Sequence, residues 1–173
     1  MQKISRPQVN PVAPGEVESW FADRIPDDWF SAMAISVDRD EILVVGTVTG
    51  GGEIEGEEAS LGRIRGFREE TRQQRIAVAA AAEEHFRRKV SWGATCGTVT
   101  VVFTHLSIPA MTRLRIRERQ VLDTLVAGGV ARSRSDALAW CVRLVGSNLD
   151  EWLGELRDAI SKVEEVRRKA PES

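Results

Sequence analysis

The residue types that catalyse reactions or bind metals are few and widely separated in this 173-residue sequence. The two cysteines, Cys96 and Cys141, lie 45 positions apart, and no Cys-x-x-Cys occurs. The two histidines, His85 and His105, are near neither a second cysteine nor each other. Zinc sites need closely spaced cysteine and histidine ligands. The sequence therefore predicts no metal site and two reduced, partly buried thiols.

The sequence motifs of common enzyme classes do not occur either. There is no Gly-x-Ser-x-Gly, no His-Glu-x-x-His and no histidine close to a plausible nucleophile. His105 follows a predicted strand and could act as a base, but such a residue is more often a loop histidine. Adjacent carboxylates such as Asp27-Asp28 are typical of a solvated surface. We therefore expect neither an enzyme nor a bound cofactor.

A glycine-rich, acidic run at residues 49–58 predicts a mobile loop. A phosphate-binding loop needs backbone N–H groups aimed at the anion and a nearby lysine or helix start. The four glutamates of this run would instead repel phosphate, and no Gly-Lys-Ser/Thr follows the glycines. The run therefore does not predict a nucleotide site.

Charge is distributed very unevenly along the chain, whose formal net charge is −2. Residues 1–60 carry four basic and twelve acidic side chains, whereas residues 61–90 carry eight basic and four acidic ones. Residues 112–146 carry seven basic and three acidic side chains. A split of this kind indicates that the basic parts could contact nucleic acid.

The N-terminal half predicts a small α+β domain at residues 16–106, after a flexible, proline-rich tail at residues 1–15. Its predicted elements are a helix at 16–25, strands at 32–37 and 41–48 joined by a turn at 38–40, a helix at 60–89 and a strand at 98–104.

The long helix of this domain is predicted to begin at Ser60 as N-cap and to pack an apolar face on the sheet. That apolar face comprises Ile64, Phe67, Thr71, Ile76, Ala80 and Phe86. The opposite, solvated face carries Arg63, Arg65, Arg68, Arg72, Arg75, Arg87 and Arg88.

Two further helices are predicted in the C-terminal half. The first carries an apolar stripe and ends at Gly128-Gly129, because glycine readily adopts the left-handed C-cap conformation. Ser133 then caps a second helix, with Asp136 at about the capping-box spacing. The stripe of the first helix consists of Val121, Leu122, Leu125 and Val126, and the inward face of the second of Ala137, Leu138, Cys141, Leu144 and Val145.

Residues 112–146 resemble the ribbon-helix-helix family of bacterial transcriptional repressors. The matching phrases are Leu122-x-x-Leu125, Gly129-Val130 and Ser133-Arg-Ser-Asp-Ala-Leu138. They follow that family's order of a leucine-spaced helix, a glycine turn and a Ser-Arg-Ser-Glu-Ala-Leu phrase. In that family a strand ahead of the helices pairs with its mate in a dimer, and the ribbon enters the major groove of DNA.

The resemblance implies specific roles for residues in and after the predicted ribbon at 112–117. Leu114 and Ile116 would face the core, and an arginine can bond two acceptors on a guanine edge. The N terminus of the second helix would contact phosphate. The implied base-contacting residues are Arg113, Arg115 and Arg117, and the implied phosphate-contacting residues are Arg132, Ser133 and Arg134.

Two interpretations of residues 112–117 remain open at this point. They can form the paired strand, or they can continue a helix that begins at Ser107-Ile-Pro109, because serine is a good N-cap and proline a good first residue. In the first case, we expect a homodimer that binds double-stranded DNA, with the acidic loop at 50–58 masking the basic surface. In the second, the chain would be an RNA-associated, ribosome-associated or protein-interaction factor, contacting phosphate through the helix at 60–89.

The predicted organisation is thus α+β, with a ribbon-helix-helix-like unit at 107–148 and an amphipathic helix at 149–173. This last helix either packs on its own protein or forms a dimer seam. No apolar run approaches the roughly 18–20 residues that span a bilayer. No secretory signal follows Met1, so we expect a cytoplasmic protein that does not enter membranes.

Overall fold

The computed structural model describes residues 14–50 and 56–168. It divides the chain into an N-terminal unit that ends at Pro109 and a C-terminal unit that begins at Ala110. The described residues form a four-stranded sheet and six helices, and most of the helical residues follow the sheet, so the predicted α+β class is confirmed. Most of the predicted N-terminal tail and the centre of the glycine-rich loop lie outside the described residues.

Four strands form the sheet of the N-terminal unit in the order β1-β2-β3-β4. They are β1 (Phe30–Val37), β2 (Glu41–Val48), β3 (Lys89–Cys96) and β4 (Val99–Val102). β2 runs antiparallel to β1 and parallel to β3, and β4 runs antiparallel to β3. The predicted hairpin is confirmed, and the Asp38 carboxylate closes its turn by accepting the N–H groups of Asp40 and Glu41 at 2.8 and 2.7 Å.

The strand predicted at 98–104 is confirmed as the shorter β4, but sequence reasoning missed β3, its partner in a hairpin. β3 is an inner strand whose central residues, from Ser91 to Ala94, are buried. A Cβ on Gly93 would lie 3.1 Å from the carbonyl oxygen of Val101, so the close approach of β4 favours glycine there. This glycine and its small neighbours hide the β-branched pattern by which strands are recognised.

Three helices, α1 (Pro14–Ala22), α2 (Glu57–Glu70) and α3 (Arg72–Phe86), belong to the N-terminal unit. The single helix predicted at 60–89 is therefore wrong: it breaks at Thr71, and Lys89 already belongs to β3. Ser60 is not its N-cap but a buried residue within α2, which begins after Gly56. α3 ends where Arg87 adopts a left-handed backbone with φ of 56°.

The buried face of α2 and α3 differs from the predicted face at two positions, because Ile76 and Ala80 are both exposed. Ile76 is 54% exposed, whereas its neighbour Arg75 is only 7% exposed. Burial follows the helical repeat through Phe67, Thr71 and Arg75. The predicted face included apolar Ile76 in place of Arg75, so at this point it was displaced by one residue from the buried face.

Buried Arg75 is held by neighbours on its own helix pair. It donates to the Thr71 hydroxyl at 2.9 Å and to the Arg68 carbonyl at 2.6 Å, and its guanidinium lies 4.8 Å from the centre of the Phe103 ring. Burial, and next the nearby Arg68, lower the pKa of Arg75. Arg88 is also buried and donates to the Asp38 carbonyl at 2.8 Å. Two of the arginines predicted on the solvated face are therefore part of the folded interior.

Aromatic rings fill the space between the helices and the sheet. Trp92 of β3 packs edge-on against Phe21 and Trp29, with ring centres 6.0 and 6.3 Å apart. Trp29 in turn meets Phe67 of α2 at 5.7 Å. These edge-to-face contacts tie α1, α2 and the sheet into one core.

The C-terminal unit contains α4 (Ile116–Ala127), α5 (Arg134–Asn148) and α6 (Asp150–Arg168), which confirms the three helices predicted there. Its buried core is small, consisting of Leu122, Ala131 and Ala137. Five partly buried residues pack against it: Leu114, Leu125, Val126, Leu138 and Cys141. Across the described ranges, no helix is both long and apolar enough to cross a membrane.

Candidate nucleic-acid interface

The arginine-bearing segment ahead of α4 is neither a paired strand nor a helix in the single chain. Residues 104–115 have no regular secondary structure, and α4 begins at Ile116. Arg115, the N-cap residue, has an extended backbone with φ of −79° and ψ of 174°. Arg113 and Arg115 are exposed on the segment, whereas Arg117 is exposed on the first turn of α4. The expectation that all three arginines lie on one element is therefore wrong.

Contacts with α4 fix the end of this segment. The N–H of Arg115 donates to the Glu118 carboxylate, and the Arg119 guanidinium donates to the Leu114 carbonyl at 2.7 Å. Leu114 packs inward on the small core, as predicted. Within the part of the chain that the structure describes, the backbone groups of Thr112 and Arg113 make no hydrogen bond.

Ile116 was expected to face the core, and this expectation is wrong for the single chain. Its side chain is 62% exposed, and Met111 on the preceding segment is 99% exposed. In a strand, Leu114 and Ile116 would both face the core, because side chains alternate between its two sides. Since α4 begins at Ile116, this alternation of side-chain directions ends at Leu114. Apolar side chains thus lie uncovered on both sides of the arginines.

The turn between α4 and α5 has the predicted glycine and serine caps. Gly129 has φ of 73°, a left-handed conformation that most other residues adopt only with strain. The Ser133 hydroxyl accepts the N–H of Asp136 at 3.2 Å. An α helix leaves the N–H groups of its first turn without partners in the helix, so those of Arg134 and Ser135 are available to an anion.

The two arginines beside Ser133 are held by carboxylates. Arg134 donates through Nε and Nη2 to both oxygens of Asp123, at 2.6 and 2.7 Å, and so joins α5 to α4. The backbone N–H of Arg132 donates to the Asp136 carboxylate at 3.0 Å, while the Arg132 side chain is 97% exposed. Sequence reasoning missed Asp123, because its pairing with Arg134 depends on how the two helices pack.

The hydrogen bond from Arg134 lowers the pKa of Asp123, and the N–H of Arg132 lowers the pKa of Asp136. Carboxyls with a lowered pKa in the folded state stabilise it above their unfolded pKa, and this contribution disappears as the pH falls through the folded pKa. We therefore expect the helix pair to lose stability as the pH falls below about 5, toward and through the lowered pKa values of these carboxyls.

Urea denaturation at several pH values, followed by circular dichroism, measures this loss. Asp123→Asn should make the urea midpoint less dependent on pH, whereas Glu151→Gln on α6 should leave the dependence unchanged. An Asp123→Asn variant with the wild-type pH profile would contradict the assigned role of the pair.

The second basic surface, on α2 and α3, is smaller than the sequence predicts. Arg65, Arg68, Arg72 and Arg87 are exposed, whereas Arg63 is half-buried with its side chain 3.4 Å from the Thr49 carbonyl. Elsewhere in the described ranges, no group of three or more histidine, cysteine or acidic side chains could hold a metal ion. His105 is exposed in the irregular stretch after β4, and Cys96 is buried.

Two family profiles match the chain. One, described as "Rv1265-like protein, N-terminal domain", covers residues 15–102, and the other, described as "Mb1296 C-terminal domain", covers residues 115–167. The relatives include Mb1296 of Mycobacterium bovis and MT1303 and Rv1265 of Mycobacterium tuberculosis, each named an uncharacterized protein. Each is 50% identical over 165 residues, which cover 94% of this chain and 73% of the relative. No solved structure matches the chain.

Proposed function

The chain belongs to the Rv1265-like protein family, and we propose that it is a DNA-binding protein that acts as a homodimeric transcriptional regulator in the bacterial cytoplasm. The observation that carries this proposal is the segment ahead of α4. It exposes Arg113 and Arg115, turns Leu114 inward, and leaves the backbone of Thr112 and Arg113 without hydrogen bonds in the described chain.

An extended segment with unpaired backbone groups can pair with the same segment of a second copy. Antiparallel pairing around Arg113 would satisfy those groups. Side chains alternate across a paired strand, so Arg113 and Arg115 of both copies would project from one face. A two-stranded ribbon of this kind fits the major groove, where arginine recognises guanine.

The helix pair supports the same arrangement. The α5 N terminus, capped by Ser133 and flanked by exposed Arg132, presents backbone N–H groups and positive charge to a phosphate. The ion pair with Asp123 engages the Arg134 side chain in holding α5 against α4, so that Arg134 would contact phosphate through its backbone N–H. The uncovered side chains of Met111 and Ile116 would lie near the dimer axis.

The test measures binding to duplex DNA across a salt series, using a site selected from a randomised duplex library. We expect Arg113→Ala/Arg115→Ala to lose preference for the selected site. Each bidentate base contact is worth about 1–3 kcal/mol of discrimination, which is about 5- to 150-fold. Arg132→Ala should weaken binding to all sequences alike and make the salt dependence shallower, because it removes a phosphate contact.

The matched control is Arg65→Ala/Arg72→Ala, which removes two exposed positive charges from α2 and α3. If the control variant loses affinity and the Arg113/Arg115 variant does not, the chain instead binds nucleic acid through the second basic surface. That result would favour the RNA-associated alternative. If no duplex sequence is enriched in the selection, base-specific recognition is excluded.

A further inference from the structure

α6 carries an apolar stripe that the C-terminal unit does not cover. Leu149, Leu153, Leu156, Ile160 and Val163 follow one another at alternating steps of four and three residues. This is the spacing of a coiled-coil seam. Four of them are between 43% and 51% exposed, and none belongs to the small core of the unit.

α5 and α6 are separate helices that meet at Leu149. The N–H of Leu149 donates to the Val145 carbonyl at 2.9 Å, and the N–H of Leu153 donates to the Leu149 carbonyl at 2.9 Å. These bonds are the last of α5 and the first of α6, and between them Leu149 leaves the helical backbone, with φ of −122° and ψ of 27°. The stripe residues are not among those that pack on the small core of Leu122, Ala131 and Ala137.

The two flanks of the stripe differ in chemistry. One flank carries apolar Trp152 and Ala159, each immediately before a seam residue. The other carries Asp150 and Arg157, each immediately after a seam residue, with opposite charges one heptad apart. Two copies of such a helix that run antiparallel bring their apolar flanks together on one side of the seam. On the other side, they bring together the flanks of alternating charge.

We propose that α6 is a self-association helix that pairs antiparallel with α6 of a second copy. With Leu153 opposite Leu156 of the second copy, Leu149 faces Ile160, and the large Trp152 side chain lies beside the small Ala159. The same register brings Asp150 next to Arg157 of the second copy, and the two-fold symmetry of the pair forms this contact twice.

Charge also selects this register against its neighbours. A slip of one heptad brings Asp150 against Asp150 of the second copy or, in the other direction, Arg157 against Arg157. Like charges at such positions are destabilising. A parallel pair would place Trp152 against Arg157 and Val145 against Asp150, so no opposite charges would meet. Of these arrangements, only the antiparallel register places aliphatic residues opposite one another in the seam and also pairs opposite charges beside it.

The experiment is sedimentation equilibrium of the full chain at low salt, where surface charge pairs are least screened. Asp150→Arg and Arg157→Asp each replace both attractive contacts with repulsive ones, so each should weaken self-association about tenfold. Mixing these two variants should restore association, because every contact in the mixed pair is again between opposite charges. The double variant Asp150→Arg/Arg157→Asp should also associate. Glu151→Arg, on the outer side of α6, is the control and should behave as the wild type.

The proposal does not rest on DNA binding, so its failure can be distinguished from failure of the proposed function. If the ribbon proposed for Arg113 joins the same two chains as α6, weakening α6 leaves a dimer with a larger dissociation constant; if α6 alone joins them, it shifts the chain from dimer toward monomer. Arg113→Ala/Arg115→Ala should leave the α6 contacts intact. A monomeric wild-type chain would overturn the proposal. Failure of the mixed variants to associate would overturn the antiparallel register.

Discussion

Replacing Ile64 with alanine is expected to lower the free energy of unfolding of the N-terminal unit by about 2–5 kcal/mol. Ile64 is 3% exposed and packs in the core between α2 and the sheet. Truncation removes buried apolar area and leaves a cavity that the surrounding aromatic rings cannot fill without moving. Chemical denaturation followed by tryptophan fluorescence measures the change.

The matched control is Ile76→Ala, which removes the same atoms from a side chain that is 54% exposed. We expect its free energy of unfolding to remain within about 0.5 kcal/mol of wild type. This pair of variants tests the register of the helical face directly. Equal destabilisation by both substitutions would mean that Ile76, not Arg75, lies on the buried side.

Replacing Leu122 with alanine is expected to unfold the C-terminal unit selectively. Leu122 is the largest buried side chain of a core that otherwise contains Ala131 and Ala137. A loss of about 2–5 kcal/mol is comparable with the whole stability of so small a unit. Hydrogen exchange measured by mass spectrometry should show α4 and α5 unprotected while β2 and β3 keep their protection.

Leu144→Ala provides the control for this prediction, because Leu144, which was expected on the inward face of α5, is instead 46% exposed. Its exchange pattern should match that of the wild type. If Leu122→Ala leaves α4 protected, the stability of the unit comes from contacts other than its small core. If Leu122→Ala also exposes β2 and β3, the two units unfold as one.

Local signals in the sequence were sufficient to predict the helices of the C-terminal unit. Gly128-Gly129 and Ser133 determine backbone conformation over a few residues, and the structure has the predicted caps at both positions. The hairpin between β1 and β2 was recognisable for the same reason, because alternating apolar residues surround a short polar turn.

Features that depend on distant contacts were not predictable in this way. Arg75 is buried because Thr71, Arg68 and Phe103 surround it, and a single helical segment does not reveal these partners. β3 requires small residues because β4 approaches it closely. The Asp123–Arg134 pair likewise joins two helices across a turn.

The arginine segment was ambiguous for a different physical reason. A strand at a sheet edge acquires its hydrogen bonds from a neighbour, and the neighbour proposed here is another molecule. The residues alone therefore favour strand and helix about equally. The structure of one chain fixes where α4 begins.

The parallel pairing of β2 with β3 has a consequence for the order of events during synthesis. Val44 meets Trp92 across that pair, and α2 and α3 lie between them along the chain. Until β3 has left the ribosome, β1 and β2 form only a two-stranded hairpin, which is marginally stable by itself. The apolar edge of β2 is thus exposed to other nascent chains during this interval, and slow translation ahead of residue 89 would favour aggregation.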